Sequence, residues 1–399
     1  MASPWSDAGL IRHTQASISF IMATRPAFEL LPSAFVLTRV EYYAREILPL
    51  ITRQNTIEFG LEALSIWANQ GRHYLSIVRG VKLACAMIRS LRRFADQPEL
   101  DTPQGELAAL ITELRELLAR PYIRSVPDQE ASAFAWRMLR LDQVFRFHES
   151  STIARLLQLA SEIDALVAMA DVTRTNTFTL PDVIEGPLGV HGEGMVHPFV
   201  NSPVANPVTL DQSHRVLFLT GPNMAGKTTY LRAFATALYL AHLGMGVPAR
   251  SFRFVPAERL FSAITLRDNL RSGVSYFRAE ALRVKAVAQA IADGYRVVAI
   301  MDEPFKGTNV KDALDASLAI LHRFATRKDC LFMFSSHLIE LTEQAGTSEQ
   351  ISCRHFEADE SGGRLRFDYR LRTGVSSQRL GMRVLQEEGV FELLDQARD

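Results

Sequence analysis

Cysteine is scarce, confined to residues 85, 330 and 353 of 399, an odd number without metal-ligand spacing. A disulfide framework and a cysteine-based zinc centre are thereby excluded, and a reducing, cytoplasmic compartment is the simplest expectation. Tryptophan is equally sparse: Trp5, Trp67 and Trp136 are too dispersed for a stacking platform and are expected at core or interface positions. No basic segment followed by a long apolar run opens the chain, and the apolar stretch 233–243 is interrupted by Tyr239 and His242. Neither a signal peptide nor a membrane span is expected. Charge of one sign is also missing, since 44 basic residues balance 44 acidic ones. Neutrality removes the simplest argument for a nucleic-acid partner without excluding a local positive surface. The Arg-Ser-Leu-Arg-Arg run at 89–93 and the arginines of 132–155 are candidate patches that read first as solvated helical faces. His191 and His197 lack partners at metal-ligand spacing.

What is present is enough apolar material, 47% of residues, to bury a large core in two or three domains. Residues 1–175 read as a helical domain. Leu107, Leu110, Ile111, Leu114, Leu117 and Leu118 recur at helical spacing, with Pro121 ending the pattern, and residues 153–170 repeat it at length. Proline and glycine then crowd residues 176–211, which suits a covering segment of short strands and turns and places a domain boundary near 176. In 176–399 the expected order after residue 240 is a turn-rich segment, helix, strand, helix and strand, closing with a hairpin around 359–363. Val297–Met301 and Leu331–Phe334 are too apolar for edge strands and belong at the parallel centre of an α/β sheet.

The most specific feature lies between a buried-strand run, Arg215–Thr220, and a helical run, Thr229–Leu240. Residues 221–228, Gly-Pro-Asn-Met-Ala-Gly-Lys-Thr, fit the phosphate-loop pattern G-x-x-x-x-G-K-[ST] in the required strand-to-helix context. Gly221 and Gly226 let the backbone curl its amides around phosphate oxygens, aided by the positive end of the following helix. The loop residues Gly221, Pro222, Asn223, Met224, Ala225, Gly226, Lys227, Thr228 and Thr229 are the expected nucleotide contacts. Lys227 is suited to the β and γ phosphates, and the Thr228 hydroxyl to Mg²⁺. ATP and magnesium are the expected ligands.

Asp302 and Glu303 end the Val297–Met301 strand, so they emerge at the carboxyl edge where open α/β sheets bind ligands. Asp302 is placed to support the magnesium shell with Thr228, and Glu303 to polarise an attacking water. His337 follows the neighbouring strand and is suited to bond that water or the leaving phosphoryl group. Ser275 precedes a helix and either caps it or clamps a phosphate, in the second case across a dimer.

Residues 220–229, 272–280 (Ser-Gly-Val-Ser-Tyr-Phe-Arg-Ala-Glu), 301–308 (Met-Asp-Glu-Pro-Phe-Lys-Gly-Thr) and 336–341 (Ser-His-Leu-Ile-Glu-Leu) together resemble the MutS family of mismatch-repair ATPases. The likeness runs almost continuously over 196–398, and more weakly into the helical core through 162–170. It implies a P-loop NTPase of the ABC/MutS type behind an all-helical domain, with catalysis by Glu303, His337, Lys227 and Ser275 and magnesium held by Thr228 and Asp302. It further implies a homodimer whose ATPase domains share composite sites, with Ser275 offered to the partner's γ phosphate, and duplex or branched DNA or a protein as partner. A nucleotide-dependent interaction module with little turnover is the alternative. Pro304, Phe305 and Lys306 replace the family's usual apolar residue, glycine and arginine, and Ala263 stands where arginine is common. A phenylalanine is not expected to adopt a glycine-only conformation, so the turn after Glu303 should be shaped differently. The wedge motif of mismatch readers is not found, and the helical residues 1–175 leave no room for a wedge domain, connector, levers and clamp together, so autonomous mismatch reading is not expected.

Overall fold

Helical periodicity in the first half of the chain becomes a set of helices with meeting apolar faces, seen in a computed structural model. It describes residues 4–53, 55–69, 71–128, 135–264, 276–305, 309–337, 341, 348–359, 365–376, 378 and 380–396. The chain divides into two compact units, His13–Arg174 and Thr175–Asp399 together with Ala2–Arg12. The helices up to the boundary are α1 (Ala8–Ala23), α2 (Ala34–Arg45), α3 (Thr56–Asn69), α4 (Gly71–Ala95), α5 (Glu106–Leu118), α6 (Pro121–Arg124), α7 (Ala135–Gln143) and α8 (Ser150–Thr175).

In α5 the buried side chains are Leu107, Leu110, Ile111, Leu114 and Leu118; the helix ends at Leu118, ahead of Pro121, which opens the next short helix. Helices α2 and α4 touch at Gly80: a Cβ there would lie 2.1 Å from the Tyr43 ring, so a bare backbone is required. The same Tyr43 donates its hydroxyl to Asp142 at 2.5 Å, and Asp142 accepts a fork from Arg146 at 2.7 and 2.5 Å. Arg146 also holds the carbonyls of Leu48 and Pro49, so this buried pair is fully hydrogen-bonded and pins the connection after α2. Trp136 meets Phe59 edge-on at 4.8 Å, whereas Trp67 is 54% exposed and lies outside the core.

The second unit carries strands β1 (Asp182–Val183), β2 (Val190–Met195), β3 (Asn206–Leu210), β4 (Val216–Thr220), β5 (Ser251–Phe254), β6 (Arg259–Ala263), β7 (Val297–Asp302), β8 (Cys330–Ser335), β9 (Ile351–His355), β10 (Ala358–Asp359), β11 (Arg366–Phe367) and β12 (Arg372–Thr373). A four-stranded sheet in the order β1-β5-β2-β3 contains the covering segment. The main sheet has the order β12-β9-β4-β8-β7-β6 and is parallel except for the edge strand β12. Its helices include α9 (Lys227–His242), α10 (Tyr276–Ala292) and α11 (Val310–Ala325).

Alternation along the central strands divides their side chains between two cores. Leu217, Leu219, Ile300 and Met333 join Phe234 and Leu238 of α9, while Val216, Phe218, Ala299 and Phe332 join Val287 of α10 and Phe324 of α11. Burial on both faces explains why these strands read as unbroken apolar runs. The stretch expected to be merely turn-rich instead supplies β5 and β6, one to each sheet. Both are short and broken by Pro256, so their pairing partners, not local propensity, decide their conformation. The closing hairpin is present as β10 against β11. Residues ahead of His13 join this unit through Ile11 in its core, the Trp5 amide on the His242 carbonyl and Arg12 on the Val183 carbonyl. No single helix among the described residues is long and apolar enough to cross a membrane.

Candidate functional site

Strand β4 ends at Thr220, and the chain turns sharply before re-entering helix α9 at Lys227. Gly221 makes the turn at φ +137°, where a Cβ would stand 2.6 Å from the Phe356 carbonyl oxygen. Gly226 sits at φ +104° immediately before the helix, with the Tyr369 ring 3.2 Å from where its Cβ would be. Both positions therefore need glycine for the backbone, and Gly221 for space as well. Pro222 and Ala225 face inward, whereas Asn223, Met224 and Thr229 are exposed.

Lys227 is 5% exposed, and its ammonium donates to the carbonyls of Gly221 at 2.7 Å and Pro222 at 3.2 Å. Glu303 Oε1 lies 3.7 Å from the same ammonium, and Glu303 Oε2 lies 3.7 Å from His337 Nδ1. Thr228 donates its hydroxyl to Asp302 Oδ2 at 2.7 Å. The lysine, the threonine, both carboxylates and the histidine thus meet at the carboxyl edge of β4, β8 and β7. Ser275 and Lys306 lie outside the described residues.

The turn after Glu303 departs from expectation. Glu303 has φ +48° and Phe305 φ +67°, so the phenylalanine does take the left-handed conformation thought closed to it. Such backbone costs about 1–2 kcal/mol per residue for L-amino acids. The compensation for Phe305 is burial: it is 4% exposed, joins the apolar core and meets the Phe277 ring at 5.7 Å. Strain of this kind concentrates at working sites.

A cleft of about 520 Å³ opens over the loop, lined on one side by Pro222, Met224, Lys227, Thr228 and Glu303 and on the other by residues from 195–206 and Tyr369. Asn206 closes this second wall. Its amide donates to the Tyr369 carbonyl at 2.9 Å and accepts from the Leu371 amide at 2.7 Å. Tyr369, itself at φ +54° and 45% exposed, is thereby held beside Gly226. Burial, and then Arg232, keep His197 on this wall below its ordinary range, favouring the neutral ring. Sequence spacing did not identify Tyr369, because its partner Asn206 is distant in the chain and its placement depends on a tertiary clamp.

Buried cations need compensating partners, and the Lys227 ammonium has two carbonyls and a carboxylate around it. The arrangement presents a cation and a helix N-terminus for a polyanion, with a hard-oxygen pair, Thr228 and Asp302, suited to a divalent ion. Among the described residues no group of three or more His, Cys, Asp or Glu is arranged to hold a metal alone. Magnesium does not require such a cage, since it is bound through one or two carboxylates, substrate phosphates and waters.

Residues 217–399 match the family model described as MutS domain V. At family level this supports a nucleotide-coupled role for the unit linked to a helical domain. The segment that gathers the loop, both carboxylates and His337 at one sheet edge thus lies within the stretch similar to MutS domain V, consistent with a MutS-family fragment.

Proposed function

We propose that the C-terminal unit binds ATP with magnesium and hydrolyses it, and that nucleotide state moves the helical unit. The observation that carries this is the convergence of Lys227, Thr228, Asp302, Glu303 and His337 at the ends of adjacent parallel strands. Lys227 would exchange its loop carbonyls for the β and γ phosphate oxygens, while Gly221 through Thr229 wrap the chain around them. Thr228 and Asp302 would hold the magnesium ion, which when bound neutralises charge on the phosphoryl oxygens. Glu303 accepts the proton of the attacking water, and His337 bonds that water or the departing group. Tyr369, on the opposite wall, offers a ring face to a planar base.

The site is completed in this proposal by a second copy of the chain that brings Ser275 to the γ phosphate. Such a clamp adds to the single ammonium of Lys227. Binding energy from the γ phosphate then shifts the helices, and hydrolysis resets them. The protein is proposed to act in the cytoplasm.

The load is proposed to be duplex or branched DNA, without autonomous mismatch reading. Support comes from a cleft of about 600 Å³ in the helical unit, lined by Arg89, Arg92, Arg93 and Arg124 against Asp96 and Asp128. Arg92 is committed to the carbonyls of Ile123 and Val126 and to Asp128. It thereby ties the 121–128 segment to α4 and brings Arg124 to the same cleft as Arg89 and Arg93. A protein partner, or nucleotide-dependent association with little turnover, is the competing reading. Glu303→Gln tests the core of the proposal: magnesium-ATP affinity should persist while steady-state hydrolysis falls at least 100-fold, on the order of a general-base contribution. Unchanged hydrolysis would remove Glu303 from that role.

A further inference from the structure

Ser335 touches both carboxylate-bearing residues, Asp302 and Glu303. It ends β8, is fully buried, and in register lies opposite Asp302 on one neighbouring strand and Leu219 on the other. Its hydroxyl donates to Asp302 Oδ1 at 2.5 Å. The same oxygen accepts from the Glu303 amide at 3.0 Å, and the Ser335 carbonyl lies 3.2 Å from that amide.

One hydroxyl therefore addresses two consecutive residues with different proposed tasks. With Oδ1 of Asp302 held by Ser335, Oδ2 is the oxygen that meets Thr228. With its amide held by Ser335, Glu303 takes its left-handed backbone and presents its carboxylate between Lys227 and His337. A serine is not required for packing here, since alanine occupies less volume and strand β8 is otherwise apolar. An alanine would, however, leave a carboxylate oxygen and an amide each short of one partner.

We propose that Ser335 is a positioning residue that sets the aim of Asp302 toward the divalent ion and of Glu303 toward the attacking water. This rests on the nucleotide assignment above. The test compares wild type, Ser335→Ala, Ser335→Thr and Glu303→Gln in the full chain, using a fluorescent ATP analogue with and without magnesium, amide hydrogen exchange at Glu303, and ATP turnover.

Ser335→Ala should bind the analogue like wild type without magnesium and lose roughly 10- to 100-fold of the affinity that magnesium adds, the span of a lost charge-assisted hydrogen bond. Exchange at the Glu303 amide should accelerate, and kcat should fall, with Ser335→Thr recovering most of each. Retention of the magnesium-dependent affinity and of slow exchange in Ser335→Ala, while Glu303→Gln abolishes turnover, overturns the inference and leaves the nucleotide assignment standing. Loss of magnesium-free binding as well marks a merely structural residue and also overturns it. Failure of the wild type to bind the analogue with magnesium overturns both.

Discussion

Mild acid should destabilise the C-terminal unit, because His242 is held neutral inside it. Its Nδ1 lies 2.8 Å from the Leu238 carbonyl and its Nε2 accepts from the Ala257 amide at 2.9 Å, an arrangement that assigns the ring proton to Nδ1. Burial pulls the group from its ordinary 6.5 down to about 4, against the opposing effect of the bond to the Leu238 carbonyl. A histidine depressed in the folded state gives stability that is complete above the unfolded value and is lost as pH falls from 6.5 toward 4. Integrating that window gives a loss of about 2 kcal/mol between pH 7.5 and 5. The clearest assay is urea unfolding at several pH values in a W67F/W136F background. Trp5, whose amide bonds the His242 carbonyl, is then the reporter. His242→Gln should be less stable at neutral pH by about 1–3 kcal/mol, because a flexible amide does not serve the Leu238 carbonyl and the Ala257 amide together as the packed ring does. Its pH slope should be flatter than that of wild type by the amount His242 supplies. Asp368, held below the usual carboxylate range by its hydrogen bond to Arg372, titrates beneath this window and is common to both proteins. Equal slopes in the two proteins would refute the assignment of acid sensitivity to this ring.

Asp142→Ala should cost the helical unit about 3–5 kcal/mol, since Arg146 keeps a buried charge without its carboxylate; chemical denaturation monitored by circular dichroism reads this directly, and a loss under 1 kcal/mol would contradict it. Gly221→Ala should abolish magnesium-ATP binding and lower the melting temperature, because the new Cβ meets the Phe356 carbonyl at 2.6 Å in a backbone region hostile to alanine; wild-type calorimetric binding would show the loop to be more forgiving. Charge reversal of Arg93 and Arg124 should weaken duplex DNA binding and shallow its dependence on salt by about one unit of log–log slope per lost phosphate contact; an unchanged slope would assign DNA to another surface or to none.

The tight turn from β4 into α9 could be read from sequence because its requirements are local: two glycines, a lysine and a flanking strand and helix lie within one short segment. The places of Asp302 and His337 at strand ends were likewise legible, since apolar runs buried on both faces announce the parallel centre of a sheet. Strands β5 and β6 were not, because short pieces interrupted by proline take their conformation from distant partners. Phe305 shows a different failure. Residue preference correctly identified a left-handed turn as unfavourable for phenylalanine, yet the core's demand for a ring at that point outweighs the backbone penalty. Ser335 and Asn206 escaped because their significance lies in atoms that meet only after β4, β7 and β8, or the two walls of the cleft, come together.

The pairing of Leu219 with Ser335 and of Ser335 with Asp302 sets a constraint on how this protein can vary. Side chains alternate between faces along each strand, so inserting or deleting one residue within β7 or β8 would exchange every inward group for an outward one. Swapping one apolar residue for another of similar bulk would disturb the same strands far less. Divergent sequences can therefore share this arrangement of polar strand ends while differing at most central positions, provided that the spacing between each strand's beginning and its polar terminus is preserved.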